Sequence, residues 1–556
     1  MSQSMKSKLV RNSLVLAISQ AVAMYARAVP PQPITCTVES ASDADILDNG
    51  AKTFRGCLAD VAANTVPGSD FTIAFAPALK GSTITFDAAN QTPNYSAAFS
   101  VGIFGTDAVG SLTIDGDIDN DNAPDITIDG GSRLDAAGED VRTLFINTTI
   151  SGDITLDGLK LTGGQMVGTT SANFEEALGT ALLVNGEDAN ITLKNSVISG
   201  NVSGGNTTEQ CTSSNDGNSI ADIKSRNTTV SGTTLSDNIG CDDFSTLAIN
   251  SKYGSGGTDG QVTLDTVFIN NNQGSGAQIV GQNVSINNSR IENNVASKDN
   301  TAFGAYIGTT SKYAPTTISI SNSSIANNSA GGVFTISAGY LPQVLIEQSS
   351  VTGNGSAQSN SKYLGGVFSV FLGLDEGQRD DAVLQDPQDL LLPSSRLQVV
   401  NRTLSGNFGA QAAIFGFTIQ ETPDSVTDDK YLDVDIRNST IIGSEAPDSY
   451  LLPSVLASGS LKYSGGNNDV NRRTGSPAGV SKLSVSNSII TGATFDGAIG
   501  SSCLATEKYE VITNPGNPGD PTATPPVNSV DPTTEKYSAI YPAFGRSNIV
   551  SNVGAT

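Results

Sequence analysis

A seven-residue unit recurs along most of the chain and limits the fold more than any other feature. Its clearest copy is Asn322–Asn328, which begins and ends with asparagine. Eight further copies begin at Asn195, Gly232, Asp265, Asn288, Gln348, Asn401, Asn438 and Asn487. Successive copies start 23 to 53 residues apart. Self-similarity at such a period is typical of repeat architectures, in which insertions form loops.

Each unit follows a short segment with alternating apolar residues, such as Ile318 and Ile320, which predicts a strand with one face inward. A second short strand, centred in this copy on Ile325, follows a polar corner. Asparagine and glycine tolerate left-handed backbone angles and therefore suit tight corners. Stacked corners would place asparagine over asparagine and form ladders of side-chain amides.

We therefore expect an all-β fold, a single right-handed parallel β-helix (solenoid) with an N-terminal cap and outward loops. A β-sandwich of repetitive hairpins is the alternative. Hairpin turns need no recurring unit of this kind, so the sequence favours the solenoid. A βαβ arrangement is disfavoured because no amphipathic helix occurs within the repeat region.

Composition limits the partners. Only 15% of the residues are charged, and the formal net charge is −25. This charge argues against nucleic acid, whose phosphates require basic patches. It also argues against docking on anionic lipid and suits solubility and cation binding.

The sequence predicts export and an elongated domain. Residues 1–28 are typical of a signal peptide, with a basic start, a short apolar core and the small-x-small site Ala26–Ala28. No other stretch is apolar enough to span a bilayer as a helix, and the chain ends at Thr556 without an apolar tail. We expect a secreted or cell-surface protein. The predicted divisions are the cap and first strands (29–110), the repeats with loop insertions (111–511), a Pro-rich extended segment (512–544) and a final coil (545–556).

Five cysteines fit an oxidising compartment. Cys36 and Cys57 flank one segment, and Cys211 and Cys241 flank another, so these two pairings are our prediction. Cys503 is left over, either as an unpaired buried thiol or as a partner for another molecule.

The N-terminal region contains three segments, Ile34–Val38, Phe54–Leu58 and Ile84–Phe86, followed by the Leu-Thr-Ile-Asp-Gly run Leu112–Gly116. This series of segments resembles the opening of secreted right-handed β-helix proteins of the CSLREA group. Arg55 matches the arginine of the group's cap motif, whereas Cys57 stands where the group usually has alanine. The group includes choice-of-anchor surface proteins and autotransporter passengers. The resemblance implies surface display and adhesion, by analogy of fold.

One acidic loop is a candidate calcium site. Five carboxylates crowd the segment after the first Asp-Gly corner: Asp115, Asp117, Asp119, Asp121 and Asp125. Hard oxygen ligands at alternate positions suit Ca²⁺. The loop lacks the distal glutamate of an EF-hand, and a solvated acidic loop is the alternative interpretation.

The absence of histidine excludes Ser-His-Asp, Cys-His and histidine-bearing zinc sites. Two catalytic routes remain: paired carboxylates for glycoside hydrolysis, and calcium with a basic residue for polysaccharide β-elimination. The best candidates are Asp433, Asp435 and Arg437, which strand alternation places on one outer face, with Val434 and Ile436 inward. A surface ion pair is the alternative.

We expect an extracellular or cell-surface rod that displays loops for adhesion, glycan binding or surface assembly. Its partners would be host or environmental glycans, or surface receptors. The alternative is a carbohydrate-active enzyme, a polysaccharide lyase or glycoside hydrolase on a pectin-lyase-like β-helix, which needs clustered Asp, Lys and Arg along a groove. A third hypothesis is a calcium-stabilised filament subunit, whose thermal stability falls on chelation.

Overall fold

The computed structural model describes twenty-five segments of the chain. They are residues 33–44, 46–64, 68–87, 97–103, 110–131, 141–166, 179–203, 219–240, 245–251, 260–295, 303–309, 317–328, 332–338, 343–354, 368–372, 395–407, 415–421, 431–442, 456–462, 479–491, 494–495, 498–499, 509–511, 543–544 and 549–550. The predicted signal peptide, Cys211, Cys241, Cys503 and most of the Pro-rich segment lie outside these residues.

Within the described segments the chain forms short strands, one α-helix and one 3₁₀-helix. The N-terminal elements are β1 (Ile34–Val38), β2 (Leu47–Asp48), β3 (Ala51–Lys52), α1 (Phe54–Ala63), β4 (Asp70–Phe75), the 3₁₀-helix Pro77–Leu79 and β5 (Thr83–Thr85).

The next strands are β6 (Ala97–Ile103), β7 (Ser111–Asp115), β8 (Ile126–Asp129), β9 (Arg142–Thr148), β10 (Asp153–Asp157), β11 (Leu159–Thr162), β12 (Gln165–Met166), β13 (Leu182–Lys194), β14 (Val197–Ser199), β15 (Val202–Ser203), β16 (Ser219–Ser231), β17 (Thr234–Ser236), β18 (Ser245–Ser251), β19 (Gln261–Asp265), β20 (Phe268–Asn270), β21 (Ser275–Val280), β22 (Asn283–Asn287) and β23 (Arg290–Glu292).

The remaining strands are β24 (Phe303–Thr309), β25 (Thr317–Ser321), β26 (Ser324–Ala326), β27 (Gly332–Ala338), β28 (Gln343–Glu347), β29 (Ser350–Thr352), β30 (Phe368–Leu372), β31 (Ser395–Val400), β32 (Thr403–Ser405), β33 (Phe415–Glu421), β34 (Tyr431–Arg437), β35 (Thr440–Ile442), β36 (Leu456–Lys462), β37 (Gly479–Ser486), β38 (Ile489–Thr491), β39 (Thr494–Phe495), β40 (Ala498–Ile499), β41 (Tyr509–Val511), β42 (Ala543–Phe544) and β43 (Ile549–Val550).

Most strands stack in parallel on three faces, and successive coils contribute one strand to each face. The first face contains β6, β9, β18, β21, β24, β27, β30, β33, β36 and β41. The second contains β1, β4, β7, β10, β19, β22, β25, β28, β31, β34, β37 and β42. The long strands β13 and β16 cross both, and the third face runs from β5 through β8 and β11 to β43. The predicted parallel β-helix is therefore confirmed.

Coils stack in register, so identical side chains lie above one another in the core. On the second face, Leu264 pairs with Ile286, and Ile286 with Ile320. Ile346 continues the same column. All four side chains are buried. Stacked strands lie about 4.8 Å apart, which brings the branched side chains of adjacent coils into contact.

Both corners of the repeated unit use left-handed backbone angles. In the copy at Asn288, that residue has φ 50°, and Asn293, five residues later, has φ 58°. The copy counted from Asp265 in the sequence begins one residue later, at Thr266, which has φ 58°. Its partner corner is Asn271, with φ 56°. The five-residue spacing between the two corners fixes the first residue of this unit. In the sequence, the neighbouring polar residues made that first residue ambiguous.

The last residue of the unit builds a buried ladder of amides. Asn294 donates from Nδ2 to Asn328 Oδ1 (2.9 Å) and to the carbonyl of Ile269 in a neighbouring coil (3.0 Å). The backbone N–H of Asn294 donates to the same Asn328 Oδ1 (3.1 Å). The ladder consists of Asn201, Asn238, Asn272, Asn294, Asn328, Asn354 and Asn407. The predicted amide ladder is confirmed.

The second residue of the unit lines another inner corner, which mostly holds serine. Ser289 Oγ donates to Asn287 O (2.6 Å) and accepts from the backbone N–H of Val267 (3.1 Å). Two coils lack a hydroxyl at this corner. Val267 and Arg402 occupy it in two coils.

The N-terminal cap packs on the open end of the coils. Thr53 caps α1 by accepting the Gly56 N–H on its hydroxyl (3.0 Å). Cys36 and Cys57, one of the two expected pairs, form a disulfide between β1 and α1. Residues 543–544, which the sequence assigned to the extended segment, pair with β37.

Arg55 ties the cap to the first coil. Its guanidinium donates to both oxygens of Asp43 (2.9 Å each) and to Ala98 O (2.9 Å), and it lies over the ring of Phe99. Burial raises the pKa of Asp43, and the Arg55 ion pair counteracts that rise. Arg55, the arginine on which the sequence resemblance rests, thus supplies the ion-pair partner of a buried carboxylate.

Candidate functional sites

The strongest catalytic candidates of the sequence form an ion-pair cluster on the second face. Arg437 Nε donates to Asp435 Oδ1 (2.9 Å), and Arg437 Nη2 contacts Asp435 Oδ2. Arg396, on the preceding coil, donates to Asp435 Oδ2 (3.4 Å). The side chain of Asp433 lies outside the described residues.

This arrangement suits an ion pair better than an acid–base catalyst. The hydrogen bond from Arg437 lowers the pKa of Asp435, so the carboxylate stays ionised at neutral pH. Its side chain is only 12% exposed, and two guanidinium groups engage its oxygens. A proton donor for glycoside cleavage needs the opposite shift. The geometry therefore favours the ion-pair interpretation.

The acidic loop 116–125 connects β7 to β8 at the corner between the second and third faces. Asp117, Asp119 and Asp125 bring carboxylate oxygens within 4.8 Å of one another. Lys80 Nζ contacts Asp119 and lies 3.2 Å from Asp125. Only three of the five predicted ligands therefore converge, and an ammonium lies among them.

The same carboxylates also brace the loop itself. Asp117 accepts the backbone N–H groups of Asp121 and Asn122, each at 3.0 Å. Asp125 accepts the N–H of Ile118 (3.0 Å). Oxygen donors of this kind suit Ca²⁺, but a bound ion would have to take the place of the Lys80 ammonium. In this loop Lys80 thus pairs with two of the three converging carboxylates, and the third, Asp117, is held by backbone N–H groups.

A second charged group, which the sequence did not reveal as a cluster, lies on adjacent coils of the second face. Asp115, Asp157 and Lys194 are in direct register on β7, β10 and β13. Lys194 Nζ lies 2.6 Å from Asp157, which also accepts from Asn195 Nδ2 (2.9 Å). Burial, with the nearby carboxylates Asp157 and Asp117, raises the pKa of Asp115. Two neighbouring carboxylates therefore have different environments.

Besides Asp43 and Arg142, two further buried charges escaped the sequence analysis. Arg402, 3% exposed, donates from Nη2 to Ile320 O (3.2 Å), whereas its Nε and Nη1 have no hydrogen-bond partner. Burial lowers the pKa of Arg402 to about 9. Asp222, 7% exposed, accepts from Ser219 Oγ (3.2 Å), and burial raises its pKa to about 6. Arg402 stands at a position of the repeat where serine is usual. That position was the only signal in the sequence for either of these two buried charges.

Comparisons with known proteins do not add a relative. Neither a scan against protein-family models nor searches of curated proteins and solved structures found a match to this chain. Among the residues that the structure describes, no helix is long and apolar enough to cross a membrane. The fold is established by its strand pairing, and function is inferred from the geometry of the coils.

Proposed function

We propose that this chain is an extracellular or cell-surface β-helical rod that carries loops for adhesion, glycan binding or surface assembly. One observation supports this most strongly: nine successive coils share one corner of constant length. From Asn195 to Ser488, the connection from the second to the third face is two residues in every coil, as at Asn288 and Ser289 between β22 and β23.

Connections at the other two corners vary widely in length. On the way to the second face, Gly281 and Gln282 alone join β21 to β22, whereas residues 373–394 separate β30 from β31. Variable loops on a rigid scaffold are where binding functions concentrate. The solenoid thus offers sites for loops along two edges while keeping its register along the third.

Export is part of the same proposal. The basic start, apolar core and small-x-small site at residues 1–28 support a signal peptide. The disulfide between Cys36 and Cys57 fits an oxidising compartment. The cap built around Arg55 supports a relationship to the CSLREA group of surface proteins, which we retain as a proposal by analogy.

A glycoside hydrolase is the second candidate, supported by Asp115 and Asp157. The pKa of Asp115 is raised, whereas Asp157 is paired with Lys194. Two carboxylates with opposed environments are the requirement for an acid and a nucleophile or base.

Incubation of the purified protein with a panel of polysaccharides separates the two candidates. Binding would be measured by co-sedimentation, and hydrolysis by the release of reducing ends. The display rod predicts binding without release of reducing ends. Hydrolysis that disappears in both Asp115→Asn and Asp157→Asn, but not in Asp265→Asn on a later coil of the same face, would overturn it.

Calcium-stabilised assembly is a third proposal, supported by the convergence of Asp117, Asp119 and Asp125. If calcium holds this loop, EDTA lowers the melting temperature, because a ligand bound only by the folded state stabilises it. If Lys80 provides the neutralising charge, EDTA has no effect and Lys80→Ala creates a calcium dependence. Thermal melts of both proteins with and without EDTA distinguish these outcomes.

A further inference from the structure

A continuous rank of hydroxyl side chains runs up the outside of the second face. Each member is the central outward residue of its strand and pairs in register with the next. The threonine rank, as we call it, consists of Thr35, Thr72, Thr113, Thr155, Thr192, Thr229 and Thr263, continued by Ser285 and Ser319. At about 4.8 Å per strand it extends roughly 38 Å.

The threonine hydroxyls of this rank have no protein partner, unlike the groups beside the rank, whereas Ser285 Oγ accepts from Asn287 Nδ2 (2.9 Å). Within the described chain, none of the seven threonine hydroxyls makes a hydrogen bond, and all seven side chains reach the surface. The flanking positions are largely engaged along the stack. Asn190 Nδ2 donates to Asp153 (2.8 Å), and Lys194 pairs with Asp157 (2.6 Å). The face therefore presents one polar line whose threonine hydroxyls are open to solvent, between two lines that are mostly hydrogen-bonded or paired along the stack.

We propose that the threonine rank binds a linear neutral polysaccharide that lies along the solenoid axis. Hydroxyl groups donate and accept, so they suit the many hydroxyls of a sugar chain. The rank is part of a sheet that is already ordered, so binding immobilises little of the protein. A polymer can contact many coils at once, which adds weak contacts into useful avidity.

The negative charge beside the threonine rank disfavours the binding of acidic polysaccharides. The two flanking ranks carry five carboxylates and one ammonium, from Asp70, Asp115, Asp153, Asp157, Asp265 and Lys194. The Arg226 guanidinium adds one positive charge where it donates to Asn190 (3.1 Å), so carboxylates remain in excess. Uronate and sulfate groups would face like charge across this surface, which opposes association. Neutral sugars face no such penalty, and carboxylates are strong acceptors for their hydroxyls.

The composition of this face also predicts how binding affinity depends on the length of the polysaccharide. From Thr35 to Ser321, no outward position of the described second-face strands carries an aromatic side chain. Without an apolar platform under the sugar rings, each contact is a hydrogen bond that competes with water. Short oligosaccharides should therefore bind weakly, and polymers that span several coils should bind well.

This inference deepens the glycan-binding branch of the proposed function and rests on it. The experiment is co-sedimentation of the full-length protein with insoluble cellulose, chitin and mannan, with soluble polygalacturonate tested by affinity electrophoresis. The test variant combines Thr155→Val, Thr192→Val and Thr229→Val, which keep the branched shape and remove three hydroxyls. The matched control combines Thr127→Val, Thr162→Val and Thr234→Val on the third face.

We expect retention on at least one neutral polymer, unchanged in the control and weakened about 10- to 100-fold in the test variant. Soluble tri- and tetrasaccharides of the same polymer should not compete at millimolar concentration. Equal retention of both triple variants, preference for polygalacturonate, or no retention on any neutral polymer would overturn the inference. Adhesion to cells or receptors that persists in the test variant would leave the loop-displaying rod standing, so the two proposals fail separately.

Discussion

Two polar stacks run along this solenoid, and they behave in opposite ways. Inside, the asparagine ladder uses its own amides: Asn272 Nδ2 donates to Asn294 Oδ1 (2.9 Å), and the Asn272 N–H donates to the same oxygen (3.2 Å). Outside, Thr192 and Thr229 lie in register one coil apart, and neither hydroxyl makes a hydrogen bond within the described segments. The same repeats thus produce a closed stack, in which the side chains hydrogen-bond to one another, and an open stack, in which they do not.

Burial explains the difference. A buried amide without partners costs about 1 to 3 kcal/mol, so every rung inside must be satisfied by its neighbours. A surface hydroxyl has water as a partner and can lose it to a ligand. The closed stack should therefore determine stability, and the open stack should determine what the surface binds.

The largest effect is expected from breaking the closed stack. Asn294→Ala removes the donor to Ile269 O, leaves the Asn272 N–H without its acceptor and leaves Asn272 Nδ2 with only Leu235 O and Asn270 O. We expect a loss of about 3 kcal/mol in the free energy of unfolding, measured by chemical denaturation. Asn283→Ala, on the outer surface of the same coil, should cost less than about 1 kcal/mol. Equal losses would contradict the distinction.

The buried carboxylate of Asp222 lies outside both stacks. We expect its ionised form to lower the free energy of unfolding, by an amount that depends on pH. The folded-state pKa of Asp222 is about 6, above the ordinary value of 3.8, so the folded protein holds the proton more tightly. Stability therefore falls as pH rises from about 4 to about 6. Asp222→Asn should raise the unfolding free energy at pH 7 by about 2 to 3 kcal/mol and leave it unchanged near pH 4.

The contribution of Asp222 is checked by thermal or chemical denaturation across that pH range. Asp237→Asn, at an exposed turn on the third face, is a control for the loss of one charge. An equal gain in both variants, or a gain for Asp222→Asn that does not change with pH, would contradict the account.

A substitution of Arg402 tests whether buried polar side chains stabilise the solenoid only when they stack on identical side chains of neighbouring coils, as the asparagines do. Its guanidinium is buried with two donors unpartnered, at a corner where neighbouring coils carry Ser349 and Ser439. Arg402→Met keeps most of the volume and removes the charge. We expect a gain of about 1 to 2 kcal/mol in denaturation experiments. A loss of similar size would show that the guanidinium has favourable contacts beyond Ile320 O.

Two adjacent threonines give the smallest and most closely matched test. Thr228 faces inward, where its hydroxyl lies 2.5 Å from Ser225 Oγ and 3.1 Å from Ser251 Oγ. Thr229 faces outward on the threonine rank. Thr228→Val should cost about 1 kcal/mol, and Thr229→Val should change the unfolding free energy by less than about 0.5 kcal/mol. A larger loss from Thr229→Val would mean that the rank is structural.

Much of the fold followed from local sequence. Asparagine and glycine at fixed spacing predicted the corners, because few other residues adopt a left-handed backbone cheaply. The unit counted from Asp265 was misplaced by one residue because Asn270, Asn271 and Asn272 offer equivalent amides, and only stacking selects Asn272.

The sites were less predictable because they depend on contacts between coils. The partner of Asp119 is Lys80, 39 residues earlier, and that contact depends on how the two coils stack. Arg396, 39 residues before Asp435, pairs with it for the same reason. The threonine rank was hidden because insertions of varying length separate its members. From Thr155 onward it becomes visible once each strand is aligned on the left-handed corner three residues later.

The most direct test of the two-stack account is a pair of double-mutant cycles on the unfolding free energy. One cycle combines Asn294→Ala with Asn328→Ala, and the other combines Thr192→Val with Thr229→Val. The account predicts a coupling of at least about 1 kcal/mol between the asparagines and less than about 0.3 kcal/mol between the threonines. Additive asparagines, or threonines coupled as strongly as the asparagines, would contradict it.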